Sequence, residues 1–172
     1  MPPPNDIRTA FREFGLVASE FCSVVDSTPA LDRVVLLSRL YEILPRLVHQ
    51  GVALPSISVN ETNAAREIRQ TRLNKAEWGG LYELLKAKLG EWDLYWEVFD
   101  PTKDSEAIRG SLADDIADVY RDIKEGLGCQ DLDLALQGDA IWEWRVGFYS
   151  HWGKHAIDAL RTIHFLLENV LS

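Results

Sequence analysis

The sequence predicts an all-α protein, a single-domain bundle of about five or six helices. Apolar residues recur every three or four positions along most of the chain, and helix-capping residues precede several of these stretches. The alternation of apolar and polar residues that is typical of strands is confined to residues 57–59. Because 47% of the 172 residues are hydrophobic and 26% are charged, we expect one domain over residues 1–172, with a flexible tail at 1–5 and a polar connection at 53–73.

The amino-terminal third contains two predicted helices. The first is capped by Asp6 and ends near Asp26. The second is expected to start at residues 27–29, to be bent or shortened by Pro45, and to end at Gly51.

The middle of the chain contains two further helices separated by an aromatic segment. The sequence NKAE, which begins at Asn74, is typical of a capping box, and the helix after it is expected to end at Gly90. The segment Trp92–Phe99 is crowded with aromatic residues, which we expect to form a short helix or an irregular plug. Ser111 caps a well-marked helix that runs to about Leu127, with acidic residues in its first turns and Lys near its end.

The carboxy-terminal segment, residues 140–171, carries a long apolar stripe around which the other helices are expected to pack. A single helix of this length would exceed the span of a small domain, so a bend near Gly147 or Gly153 is predicted. Phe148 and Trp152 lie on the stripe, and we expect them at the centre of the core.

Polar residues on the last two long helices are predicted to form one groove. Three aspartates share a flank of the helix at 111–127, and histidines and an aspartate share a flank of the segment at 140–171. The short connection favours antiparallel packing, in which these flanks meet. Arg145 falls within the apolar stripe and is expected to pair with Asp118 or Asp122. The predicted groove comprises Asp115, Asp118, Asp122, Arg145, His151, His155 and Asp158, with Trp144 and Trp152 as an aromatic wall.

Two interpretations of this groove are open. The favoured one is a network of ion pairs and hydrogen bonds that fixes the register of the helices and needs no cofactor. The alternative is a divalent-metal site, because two histidines at i and i+4 that face carboxylates on a neighbouring helix can bind such an ion. Its ligands would come from His151, His155, Asp118 and Asp122.

Charge and cysteine content restrict the class of partner. The net charge of −9 disfavours binding to nucleic acids and to anionic membranes. Cys22 and Cys129 show no metal-binding spacing, the amino terminus lacks a signal-peptide core, and no apolar run reaches the length of a membrane span. We therefore expect a cytoplasmic protein whose partner is another protein or a small molecule. The aromatic segment Trp92–Phe99 also allows a homodimer.

Two resemblances to known families bear on function. The stretch ADDIADVYRD at residues 113–122 resembles an acidic helix of the all-α nucleotide pyrophosphohydrolases, which implies carboxylates that hold magnesium around a triphosphate. FDP at 99–101, SLADDIADVYRDIKEGL at 111–127 and WEWRVGFYSHWGKHAIDALRTIH at 142–164 together resemble an uncharacterised bacterial domain-of-unknown-function family. The second resemblance implies a bacterial, cytosolic, all-α protein and supplies no activity.

The chain carries no recognisable catalytic constellation, so the sequence favours a non-enzymatic binding or interaction module over an enzyme. The alternative function is a divalent-metal-dependent hydrolase of a phosphorylated small molecule such as a nucleotide.

Overall fold

Six α-helices account for most of the residues that the computed structural model describes, namely 4–58, 73–129 and 134–171. They are α1 (Pro4–Asp26), α2 (Arg33–Ala53), α3 (Lys75–Leu89), α4 (Leu112–Leu127), α5 (Leu134–Ser150) and α6 (Trp152–Leu171). Within the described ranges, two short 3-10 turns and one antiparallel hairpin, formed by β1 (Leu94–Glu97) and β2 (Ile108–Ser111), lie between them. The prediction of a helical bundle is confirmed.

Helices α3 and α4 begin where the capping residues predicted them to begin. The Asn74 side chain accepts hydrogen bonds from the amides of Ala76 and Glu77, and the Glu77 side chain accepts one from the Asn74 amide, which completes a capping box. Ser111 accepts a hydrogen bond from the amide of Asp114. Local capping chemistry therefore fixes the start of both helices.

The predicted boundaries of α2 are wrong. Residues 27–29 belong to a turn, and Asp32 caps the helix by accepting a hydrogen bond from the Val35 amide at 2.9 Å. The helix continues through Pro45 and does not end at Gly51. Gly51 is buried, and a Cβ atom there would lie 2.5 Å from the Phe148 ring. This glycine lets an aromatic ring approach the backbone.

Two other boundary predictions have different outcomes. Residues 4 and 5, which were predicted to lie in a flexible tail, belong to α1, and residues 1–3 lie outside the described residues. Most of the predicted connection at 53–73 lies outside the described residues.

The apolar faces of the helices meet in one core, at the centre of which two tryptophans lie. Trp144 and Trp152 are 1% and 0% exposed, and Phe14 packs against the Trp144 ring at a centroid distance of 4.5 Å. The Trp152 indole N–H donates to the Trp144 carbonyl at 2.9 Å. The prediction that Trp152 and Phe148 lie in the core is confirmed. Each such ring removes roughly 150–250 Å² from water and contributes several kcal/mol before ordering costs.

The predicted carboxy-terminal helix is divided at His151 into α5 and α6. The His151 N–H continues the bonds of α5 by donating to the Gly147 carbonyl, and the His151 carbonyl accepts from the Lys154 N–H at the start of α6. Gly153 lies so close to Phe148 that a Cβ atom would be 2.2 Å from the Phe148 carbonyl oxygen. The predicted bend is confirmed, and it lies between the two glycines that were expected to permit it.

Helix α4 runs antiparallel to the α5–α6 pair. Trp144 donates its indole N–H to the Ile123 carbonyl, near the end of α4, whereas His155 contacts Asp115, near its start. The end of α4 therefore lies beside α5 and its start lies beside α6, so the two chain directions are opposite. This orientation was predicted, and it is the one that brings the two polar flanks together.

The hairpin was not predicted from the sequence, which suggested a short helix or a plug at residues 92–99. Tyr95 pairs with Gly110 across the strands, and the absence of a side chain on Gly110 leaves room for the Tyr95 ring. Asp93 joins the hairpin to α4, because its carboxylate accepts hydrogen bonds from the Ser111 hydroxyl and the Ala113 amide, each at 2.9 Å. The hairpin is thereby held against the start of α4.

None of the helices in the described parts of the chain is both long and apolar enough to cross a membrane.

Candidate functional site

Three aspartates of α4 face two histidines at the α5–α6 junction. His151 Nδ1 lies 2.7 Å from Asp122 Oδ2, and His155 Nδ1 lies 2.7 Å from Asp115 Oδ1. Asp118 lies between these two pairs. The helical repeat of α4 places the aspartates on one face, and the one-turn spacing of the histidines matches it, so their rings are 4.9 Å apart.

The hydrogen bond at Nδ1 of each imidazole determines whether Nε2, the other ring nitrogen, carries a proton. An ionised carboxylate only accepts hydrogen bonds, so each Nδ1 carries the proton and donates it. In the neutral imidazole, Nε2 is then left with a free lone pair. His151 Nε2 and His155 Nε2 lie 3.5 and 3.6 Å from the same atom, Asp118 Oδ2. When both imidazoles are neutral, three electron-pair donors therefore converge on one point.

The remaining oxygens of the aspartates are bound by donors from α3, from β1 and from α4 itself. Asp118 Oδ1 accepts a hydrogen bond from the Trp78 indole of α3 at 2.8 Å and lies 3.0 Å from Arg121 Nη2. Asp115 Oδ2 accepts one from the Tyr95 hydroxyl of β1 at 2.6 Å. Arg121 also donates through Nε to Asp122 Oδ1 at 3.3 Å. These bonds hold the carboxylates in place and leave Asp118 Oδ2 directed at the histidines.

The spacing and the charge of this cluster suit a divalent cation. Asp118, His151 and His155 each offer one ligand atom, and these atoms all lie within 4.8 Å of one another. Metal bonds of about 2.0–2.2 Å place tetrahedral ligands roughly 3.3–3.5 Å apart, close to the oxygen–nitrogen separations here. With neutral histidines, three aspartates and Arg121 sum to a charge of −2, which one divalent ion would balance.

Burial and neighbouring charges shift the pKa values in the cluster. Burial alone would lower the pKa of His155, but the hydrogen bond to Asp115 and the charges of Asp115, Asp118 and Asp114 raise it above its ordinary value. Burial raises the pKa of Asp115, although its hydrogen bonds with His155 and Tyr95 lower it in part. The surrounding carboxylates therefore favour the protonated form of His155, in which Nε2 also carries a proton that a metal ion would displace.

A second polar group lies beside the cluster, on the neighbouring face of α6. Lys154 Nζ is 3.7 Å from both Glu97 Oε2 of β1 and Asp158 Oδ2, and these two oxygens are closed to solvent. Burial and the charge of Glu97 raise the pKa of Asp158 to about 6. Asp158 therefore belongs to this second group and contacts the hairpin.

The predicted aromatic wall and the predicted arginine differ from the structure. Trp144 and Trp152 are both buried in the core, and Trp144 also borders the cavity beside His151. The predicted pairing of Arg145 with Asp118 or Asp122 is wrong. Its guanidinium donates to the Leu54 carbonyl at the end of α2 and packs over the Tyr149 ring. The arginine that reaches both aspartates is Arg121.

Two cavities flank the cluster, and Arg121 borders both. One, of about 230 Å³, opens beside His151 and Asp122. The other, of about 350 Å³, opens beside Trp78 and Lys75. A larger groove of about 880 Å³ lies between the hairpin and α6, and exposed aromatic residues border it.

A family model described as "Domain of unknown function (DUF5063)" matches residues 5–169. The chain belongs to the DUF5063 family. The crystal structure of protein BF1032 from Bacteroides fragilis is similar to it, with a TM-score of 0.77 and 23% sequence identity over 90% of this chain and 89% of that one. At this identity the likeness shows a shared fold alone. No curated protein matches the chain significantly.

In this DUF5063 chain, the sequence did not predict four residues of the site, and three of them come from outside the helices at 111–127 and 140–171. Trp78 and Tyr95 are 40 and 20 residues away from the aspartates they contact, and Glu97 lies on the unpredicted hairpin. The contact of Arg121 with Asp118 could have been predicted, because Arg121 lies on α4 three residues after Asp118, and side chains at this spacing are neighbours on a helix.

Proposed function

We propose that the protein binds one divalent transition-metal ion through His151, His155 and Asp118 and uses it as a hydrolytic centre. The observation that carries this proposal is the convergence of two Nε2 atoms on one carboxylate oxygen while each Nδ1 is held by a separate aspartate. Histidine ligands whose other nitrogen donates to a carboxylate are characteristic of metal sites.

The donor set favours particular metals. Two imidazole nitrogens and one carboxylate oxygen suit Zn²⁺, Fe²⁺, Co²⁺ or Mn²⁺ better than Mg²⁺ or Ca²⁺, which prefer oxygen ligands. Three protein ligands leave a coordination position for water or substrate, as in catalytic zinc sites. A metal bound in this way lowers the pKa of coordinated water and polarises a substrate oxygen.

The chain's own residues would orient these ligands. Asp115 and Asp122 hold the two imidazole rings, and Trp78 and Arg121 hold the oxygen of Asp118 that does not face the histidines. Loss of such supporting contacts typically weakens metal affinity about 10–100-fold.

Titration of chelator-treated protein with Co²⁺ tests the site, because coordinated Co²⁺ absorbs visible light. We expect one equivalent to bind the wild type, and His155→Gln and Asp118→Asn to lose this binding. The matched control is His164→Gln, because His164 is an exposed histidine on the same helix that hydrogen bonds to Tyr41. Equal Co²⁺ binding by wild type and His155→Gln would overturn the assignment.

An open coordination position is tested by adding azide to the Co²⁺-loaded protein. A change in the visible spectrum is expected if an exchangeable position exists. An unchanged spectrum would indicate a closed, structural site and would remove the hydrolytic part of the proposal. If no metal binds at all, the cluster is an ion-pair network that fixes the register of α4 against α6.

A second candidate function, a self-associating interaction module, is favoured by the groove between the hairpin and α6. Trp96, Phe99 and Tyr149 border it and are 62%, 59% and 65% exposed. Exposed aromatic clusters with nearby arginine are typical of interfaces. Lys154 and Arg161 also border the groove.

Asp100 borders the same groove, so the groove carries charges of both signs. Two copies related by a two-fold axis could place Arg161 of one against Asp100 of the other around the exposed aromatic residues, which makes a homodimer the occupant we propose for this surface. Sedimentation equilibrium should show a dimer that Trp96→Ala weakens. The matched control is Leu16→Ala, an exposed apolar residue of α1. A wild-type monomer at micromolar concentration would contradict this candidate.

A further inference from the structure

A buried pair of carboxyl groups joins the hairpin to α6. Glu97, the last residue of β1, and Asp158 each place one side-chain oxygen 3.7 Å from Lys154 Nζ. Both oxygens are closed to solvent, and no donor among the described residues forms a hydrogen bond with either of them. Because buried polar atoms are nearly always hydrogen-bonded, these two acceptors without a donor need an explanation.

A single proton satisfies both oxygens. A protonated carboxyl group has an O–H donor, whereas an ionised one only accepts hydrogen bonds. When Asp158 carries the proton, its hydroxyl can donate to Glu97, and this hydrogen bond is one of the interactions that favour protonated Asp158. Lys154 does not replace it, because 3.7 Å exceeds the usual length of an ammonium–carboxylate hydrogen bond.

The charges around Asp158 also favour its protonated form. Titratable and charged groups from three elements and from the adjoining groove face it. They are Glu97 and Tyr95 of β1, Asp115 of α4, Lys154 of α6 and, along the groove, Arg161 and Asp100. Burial and the charges of Glu97 and Asp115 raise the pKa of Asp158 to about 6, although Lys154 lowers it in part. When Glu97 and Asp158 are both ionised, the one ammonium group of Lys154 has to balance two buried negative charges.

The two ends of the hairpin are attached to different helices. Its inner end is held to α4 by the hydrogen bonds of Asp93 and Tyr95. Its outer end, residues 97–108, reaches α6 through Glu97 and through Phe99, whose ring centre lies 3.8 Å from an ammonium group of that helix. A change of charge in the carboxyl pair therefore acts on the outer end alone.

We infer that Glu97 and Asp158 share one proton in the folded protein, and that the bond between them is a pH-sensitive latch that holds the outer end of the hairpin on α6. As the pH rises, the proton leaves to water, and two buried carboxylates then repel each other. Movement of the outer end away from α6 brings both carboxylates into water without the unfolding of a helix. Trp96 and Phe99 flank Glu97, so acidification closes, and a rise in pH opens, one side of the aromatic groove.

Carbon-13 NMR of the side-chain carboxyl groups tests the shared proton. In the folded protein we expect the Asp158 carboxyl carbon to titrate with a midpoint of about 6, and in urea with a midpoint of about 4. Glu97→Gln removes the neighbouring charge and supplies an amide donor to ionised Asp158, so the midpoint should fall. Equal midpoints in the folded and unfolded protein would show that no proton is shared, and the inference would fail.

Amide hydrogen exchange measures the latch itself. The rates of residues 97–108, corrected for the intrinsic effect of pH on exchange, report how often the outer end opens. We expect this opening to increase about tenfold between pH 5 and pH 7.5, because Asp158 binds its proton about 100-fold more tightly in the closed form. The opening should also be far more frequent than that of buried amides in α2, which report global unfolding.

Variants assign the effect to the carboxyl pair. Asp158→Asn cannot ionise and its amide can donate to Glu97, so its opening should not depend on pH. Glu97→Gln supplies the donor from the other side and should behave in the same way, which provides a second variant if the first does not fold. The matched control is Glu13→Gln, the same chemical change at an exposed position of α1, which should behave as the wild type does.

Two results would overturn the latch even if the proton is shared. One is exchange at residues 97–108 that is independent of pH, or no faster than in the core of α2. The other is a pH dependence that persists in both Asp158→Asn and Glu97→Gln, since it would then belong to another group.

Discussion

Replacement of Gly153 by alanine should destabilise the fold through the junction between α5 and α6. The new Cβ atom would lie 2.2 Å from the Phe148 carbonyl oxygen and 2.8 Å from the Phe148 ring. The ring can rotate away, but the carbonyl belongs to the last turns of α5 and cannot move without displacing that helix. The strain therefore has to be relieved by a shift of one helix relative to the other.

The magnitude depends on two opposing effects. Overpacking costs about 1–3 kcal/mol, and a backbone obstacle favours the upper end of that range. Alanine recovers up to about 1 kcal/mol over glycine in a helix. The net loss in the free energy of unfolding is about 2 kcal/mol, which corresponds to a decrease in Tm of roughly 4–8 °C for a domain of this size.

The matched control is Gly80→Ala in α3, where no atom lies within 4 Å of the new Cβ. At this position only the preference of alanine over glycine for the helical conformation acts, so this variant should be more stable than the wild type by about 0.5–1 kcal/mol. Urea denaturation followed by circular dichroism measures both. The reasoning is refuted if Gly153→Ala is as stable as the wild type while Gly80→Ala gains the expected stability.

Three further predictions concern single side chains. Burial raises the pKa of Asp158 to about 6 in the folded protein, whereas in the unfolded chain this carboxyl loses its proton near pH 4. The free energy of unfolding therefore falls as the pH rises from about 4 to about 6. Urea denaturation should show Asp158→Asn to be about 1–2 kcal/mol more stable than the wild type at pH 7 and equal to it at pH 4. Burial raises the pKa of the Cys22 thiol to about 12, so Ellman's reagent should modify it only in denaturant. Trp78→Phe, which removes the hydrogen bond to Asp118, should reduce Co²⁺ affinity about 10–100-fold with little change in Tm, and an unchanged affinity would count against its supporting role.

Local periodicity was sufficient to predict the polar cluster in part. The spacing of Asp115, Asp118 and Asp122 within one helix, and of His151 and His155 within the next, is set by the helical repeat. The short connection indicated antiparallel packing, which brings those two faces together. The contributions of Trp78 and Tyr95 were not predictable in this way, because each depends on a contact between segments whose relative position no local pattern encodes.

The error over Arg145 has a specific physical cause. A charge within an apolar stripe was expected to require a carboxylate, but the last carbonyl groups of a helix also lack partners and carry partial negative charge. Arg145 donates to the carbonyl of Leu54, the residue that caps the end of α2. The hairpin was not predicted for a different reason. The residues of the strand Leu94–Glu97 alternate between exposed and half-buried, which is a weak strand signal, and the strand is supported by a contact with α4 that no local pattern encodes.

The single residue between α5 and α6 restricts how this chain can change in length during evolution. Each residue added to a helix rotates the downstream part of that helix by about 100° and advances it by about 1.5 Å. One insertion at the junction would turn His155 away from Asp115 and would separate it from His151, whose ring still faces Asp122. The exposed residues 101–107 between the strands carry no such constraint. Insertions and deletions among relatives that keep the cluster should therefore accumulate in the hairpin loop and be absent at His151.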